Sequence, residues 1–221
     1  MKKLLIISIS CLSVFLIYLS TIDRKVYVTI LTTNENSNYS KNVEKFLKNK
    51  NMLEKYVNDF SFPDYRITDY IKIIMDNKMV KNNGKKLNIK NALIKSDLII
   101  IDLVKNDLFS KIIYEEDDEV LHNYVESIAD DLDKLLKLIR NYSKEDIYIL
   151  EIYNPNNLFD DHIIKYMNNK IKHLSEHYKV KYIKLNINEA MIKEKIKINK
   201  YGEESIYKSI EKELNKSLFN K

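Results

Sequence analysis

The stretch Ser96 to Leu108, SDLIIIDLVKNDL, constrains the fold more than any other part of the chain. Leu98 to Leu103 is a β-branched run interrupted only by Asp102, the pattern of a strand buried on both faces in a parallel sheet. Such a strand needs helices packed on either side. The run ends in polarity. Val104, Lys105, Asn106 and Asp107 read as a turn whose Asn and Asp side chains can bond nearby backbone and start a helix. Ligands of open α/β sheets sit outside the carboxyl ends of the strands, so this corner is the expected site.

The flanking sequence supplies the rest of such a fold. Lys25 to Leu31 predicts a strand, Lys41 to Lys50 a helix, and Asn51 to Phe60 a second helix. After a turn broken by Pro63, Ile67, Tyr70, Ile71, Ile74 and Met75 form a helical stripe over residues 67–75. Lys78 to Leu87, with Asn82, Asn83 and Gly84, predicts a hairpin, and Asn88 to Lys95 a short amphipathic segment. Asp117 to Arg140 is the clearest helix, with an acidic start and a basic end that suit its dipole. Ile147 to Ile152 and Val180 to Leu185 predict strands, and Leu158 to Tyr178 and Tyr201 to Leu218 helices. The alternation implies a three-layer α/β/α fold with a mostly parallel sheet.

Composition removes several function classes. Lys and Arg number 37 against 32 Asp and Glu, too balanced for a nucleic-acid footprint. Glycine occurs only at 84 and 202, where average usage of about 7% would give some fifteen. Phosphate-cradling loops and dinucleotide fingerprints need more than that. His173 and His177 have the spacing of a two-histidine metal pair, but no third ligand accompanies them, and a solvated helix surface is expected. No cofactor or metal is expected.

The amino terminus suggests a membrane. Lys2 and Lys3 precede Leu4 to Ile22, nineteen residues without a charge, and Asp23, Arg24 and Lys25 follow. That length spans a bilayer core, and leading lysines held inside put the remainder on the extracytoplasmic face. Residues 1–24 are thus expected to be a transmembrane anchor or uncleaved signal, and 25–221 the α/β domain. The alternative is a cleaved signal peptide and a secreted domain, though no A-x-A site precedes the boundary. Cys11, the only cysteine, lies inside the apolar run, so the domain has no disulfide.

With strand and Asn106–Asp107 in place, the segment resembles the third block of the SGNH/GDSL hydrolases, esterases and acyl hydrolases whose block reads G-x-N-D. Val104 stands where that Gly would be. The resemblance implies that Asn106 is the oxyanion donor and that Thr33 occupies the nucleophile position, where the family has the Ser of G-D-S. It places Thr68 and Asp69 at the second block, without its glycine. Asn154–Pro155 resembles a family turn. The family's D-x-x-H motif falls on Glu194 and Lys197, and a protonated lysine accepts no proton. With the amino-terminal run read as an anchor, the resemblance implies a membrane-anchored domain with impaired catalysis and a cleft for an acylated or glycan ligand, lined by Asn106, Asp107 and Asn154. Two alternatives stand beside it: an active acyl hydrolase with a non-standard nucleophile and base, and a structural or partner-binding ectodomain.

Overall fold

A computed structural model describes residues 25–34, 37–82, 85–112, 117–154, 161–193 and 197–219. Five parallel strands form the central sheet: β1 (Val26–Thr32), β2 (Leu53–Val57), β5 (Leu98–Asp102), β6 (Asp146–Leu150) and β7 (Lys181–Ile183), in the order β2-β1-β5-β6-β7. Every residue of β1 and β5 is buried. Side chains alternate across them as strand geometry requires. Ile99, Ile101, Ile147 and Ile149 enter one core, and Val28, Ile30, Leu98 and Ile100 the other.

Seven helices among the described residues run between or beside the strands: α1 (Asn38–Asn49), α2 (Ile67–Met75), α3 (Ile89–Lys95), α4 (Val104–Ile112), α5 (Asp118–Arg140), α6 (Asp161–His177) and α7 (Lys200–Phe219). Apolar residues of α2 to α6 cover one face of the sheet, and those of α1 and α7 the other. Helix α5 follows its sequence pattern closely. Asp117 caps it by accepting from the amides of Glu119 and Val120, and Leu121, Val125, Ile128, Leu132, Leu135, Leu136 and Ile139 form its buried stripe. Among the described residues, the buried members of both cores lie between Val26 and Leu214.

The expected α/β/α layering and parallel sheet are present. The expected anchor, including residues 4–22, lies outside the described residues, and no described helix is long and apolar enough to cross a membrane. The helix predicted over Asn51–Phe60 is instead β2. Its apolar residues, at 52, 53, 56, 57 and 60, have helical spacing for a different reason. A register shift opposite Val26 and Tyr27, whose partners are Leu53 and Lys55, puts an extra residue into β2. Leu53 and Tyr56 then face one core, and Val57 and Phe60 the other. Asn51, at φ 55°, turns the chain out of α1.

Two antiparallel hairpins lie outside the sheet. One, β3 (Met79–Asn82) with β4 (Lys85–Asn88), agrees with the sequence pattern. The other, β8 (Ile192–Lys193) with β9 (Lys197–Ile198), is too short to leave a periodic signal. It explains one of the two glycines. A Cβ on Gly202 would lie 2.9 Å from both Ile198 Cβ and the Met191 carbonyl oxygen, so α7 can approach the hairpin only through a bare Cα. Gly202→Ala is expected to destabilise the domain by about 1–3 kcal/mol, read from urea unfolding midpoints.

Candidate functional site

The sheet's order fixes where a crevice can open. From β1 the chain moves outward to β2, then crosses back to β5 on the other side of β1. The carboxyl ends of β1 and β5 are therefore a topological switch point, the usual ligand position in an open α/β sheet. Thr32 and Asp102 are register partners at these two ends.

Asp102 is the hub of this corner. Only 5% exposed, its Oδ2 accepts from the Tyr39 hydroxyl at 2.5 Å and from Lys105 Nζ at 2.6 Å, with Thr32 Oγ1 3.5 Å away. A carboxylate this deep requires charge-assisted partners, and Lys105 reaches it from one turn along because α4 starts almost at the strand end. Burial and the neighbouring Asp102 charge push the Tyr39 hydroxyl pKa well up, so this phenol stays protonated and donates. Tyr153 behaves alike: burial raises it, with Asp102 and Glu203 as the adjacent charges.

Glu203, in the first turn of α7, extends the cluster. Its Oε2 accepts from the backbone amide of Tyr39 at 3.0 Å and so serves the amino end of α1, where Ser37 makes no side-chain cap. Burial raises the Glu203 pKa against the lowering effects of that amide and of Lys105. Asp102, Tyr39 and Glu203 were not singled out in the sequence. The available signals were an Asp ending an otherwise apolar strand and an acid pair opening the last helix.

Next to this cluster, α4 grips the loop before α2. Asn106 Nδ2 donates to the Tyr65 carbonyl at 3.2 Å, and Asp107 accepts from the Ile67 amide at 3.0 Å. Asn106 and Asp107 were expected in a turn ahead of the helix. They lie in its first turn instead, because α4 begins at Val104 directly after Leu103. Burial raises the Asp107 pKa to about 6, opposed by the Ile67 amide and Arg66.

No protein-family model matches this sequence, and no curated protein matches it. Solved structures do match the fold. An acetyl xylan esterase, AlAXEase, superposes at a TM-score of 0.60 over 85% of this chain and 98% of its own, at 11% identity. The family 3 carbohydrate esterase of Clostridium thermocellum gives 0.62 over 89% and 98%, at 12% identity. A lipolytic G-D-S-L family member from Veillonella parvula gives 0.57 over 84% and 96%, also at 12%. The fold is that of the SGNH hydrolases.

On the SGNH frame the expected positions distribute as follows. Thr33 sits in the bend directly after β1, half-buried, and the Thr32 carbonyl preceding it accepts from the Tyr70 hydroxyl at 2.7 Å and the Phe62 amide at 3.2 Å. Thr68 and Asp69 fall in the first turn of α2, where the Asp69 side chain accepts from the Arg66 amide at 2.9 Å. Asn154 follows β6 and donates to Asp161 at 2.6 Å, in the first turn of α6. Lys197 is exposed on β9, opposite Lys193, and Glu194 lies outside the described residues. All four histidines lie on α5 and α6, with His173 and His177 exposed, and no group of three His, Cys, Asp or Glu among the described residues could hold a metal ion.

Two outcomes follow from these bonds. Tyr39→Phe removes a donor to a buried carboxylate and is expected to cost about 1.5–3 kcal/mol, read by chemical denaturation. Asp107 binds a proton more readily folded than unfolded, so its share of stability increases as pH falls through about 6 toward 3.8. Asp107→Asn should flatten that part of the stability–pH profile.

Proposed function

We propose that residues 25–221 are a membrane-tethered, extracytoplasmic SGNH-like domain that binds an acylated glycan at the β1/β5 crevice and has little or no ester hydrolase activity. The observation that carries this reading is Asp102. Its carboxylate, together with Tyr39 and Lys105, occupies the switch point, and the segments around it carry no histidine. Among the described residues no imidazole stands at this corner to take a proton from the Thr33 hydroxyl, which is the base that serine-type acyl transfer uses. One amide hydrogen of Asn106 is bonded to the Tyr65 carbonyl.

Binding needs less. Thr33, Lys105 and Asn106 are each partly exposed at the crevice and offer donors suited to carbonyl and hydroxyl oxygens. Two of the structural neighbours are an acetyl xylan esterase and a carbohydrate esterase, which favours an O-acylated polysaccharide as the ligand class. Tethering is supported by the nineteen uncharged residues from Leu4 to Ile22 behind Lys2 and Lys3.

The test is p-nitrophenyl acetate turnover and acetylated-xylan binding by residues 25–221, each repeated with Asn106→Ala. The expected result is no turnover above buffer, with binding weakened about tenfold or more by the substitution while the circular dichroism spectrum is unchanged. Turnover lost in Thr33→Val would establish the active hydrolase instead. Binding indifferent to Asn106→Ala would remove the cleft from the account.

A further inference from the structure

Parallel topology gathers a set of this molecule's exposed lysines at one end of the sheet. Strands begin at one edge of the sheet, and the loops entering them, with the helix ends that precede those loops, gather there. Lys25 precedes β1, Lys50 follows α1, Lys95 ends α3, Lys144 lies between α5 and β6, and Lys179 between α6 and β7; all five are exposed. Of the acids at this edge, Asp97 accepts from the Tyr27 amide at 2.9 Å and Asp146 pairs with Lys181 at 3.1 Å, while Glu54, Glu145 and Glu176 are exposed. The opposite edge carries both signs: exposed acids where helices start, among them Asp117, Asp118, Glu119 and Asp161, and exposed bases such as Arg66, Lys184 and Lys200.

Helix dipoles account for only part of this gathering of lysines. They favour cations within the last turn, but Lys25 and Lys144 lie outside any helix. Moreover, Lys144 and Lys179 are set in place by a dedicated device. Arg140 donates from Nε to the Tyr178 carbonyl at 2.8 Å, from Nη1 to that of Glu145 at 2.7 Å and from Nη2 to that of Lys179 at 2.7 Å. One guanidinium thus ties together the two basal loops that carry Lys144 and Lys179.

We infer that this basal edge docks on an anionic lipid surface, with the crevice facing away from it. Charge complementarity is one argument. The position of the chain outside the described residues is the other: β1 starts at this edge, and the apolar run ending at Ile22 is separated from it only by Asp23, Arg24 and Lys25. A bilayer holding that run would lie against this edge and no other. Lysines within a Debye length of an anionic surface add attraction that salt weakens. The inference deepens the tethering proposed above, and its test is designed to fail independently.

Purified residues 25–221 are cosedimented with phosphatidylcholine vesicles containing about 30% phosphatidylglycerol, and with pure phosphatidylcholine. The expected result is binding to the anionic vesicles alone, lost at about 0.5 M salt. The triple variant Lys50→Glu, Lys144→Glu, Lys179→Glu should weaken it about thirtyfold or more. The triple variant Lys184→Glu, Lys193→Glu, Lys200→Glu carries the same change in net charge on residues away from the basal edge and should leave binding within about threefold. Equal loss in both variants, no binding by the parent, or tighter binding to double-stranded DNA than to the vesicles would each overturn the inference. In the full chain reconstituted into vesicles, amine acylation of Lys144 and Lys179 should be slower in anionic than in neutral bilayers. Equal rates there, with the chain still membrane-bound, would sink the docking and leave the tether standing.

Discussion

The structure depends on burying β5 from both sides. Leu98, Ile99, Ile100 and Ile101 are all at 5% exposure or less, and each apolar side chain of this size contributes about 1.5–3 kcal/mol only when it leaves water completely. A strand with two apolar faces cannot sit at an edge or carry a solvated side, so β1 and β6 must flank it and helices must cover both surfaces. The sheet order and the crossing back over β1 accommodate those four residues.

The same strand ends in a carboxylate, and this sets the chemistry of the corner. Asp102 is tolerable in such an interior only because Tyr39, Lys105 and Thr32 converge on it from three different elements. That convergence is rigid and specific. Beside it, Asn106 and Asp107 bind the loop ahead of α2 and so couple α2 to α4.

Elements whose periodicity arises from their own packing were legible in the sequence. The stripe over residues 67–75 gave α2 its limits, and the long stripe of α5 was displaced by only one residue at its start, because both helices bury one continuous face. Strand β2 was misread because a bulge mimics helical spacing, and a bulge is a property of the pairing with β1, not of the segment itself. The candidate site divided in the same way. Asn106 and Asp107 were readable as a local motif, whereas Asp102, Tyr39 and Glu203 acquire their role from bonds spanning 63 residues in one case and 164 in the other. No local pattern encodes such pairings.

That last bond bears on how the chain is made. Among the described helices, only α1 and α7 cover one surface of the sheet, and Glu203 accepts from the amino end of α1. Of the described helices, α1 is made before all the others and α7 after them. Until α7 is made, Val28, Ile30 and Ile100 have a greasy flank that α1 by itself leaves partly unprotected.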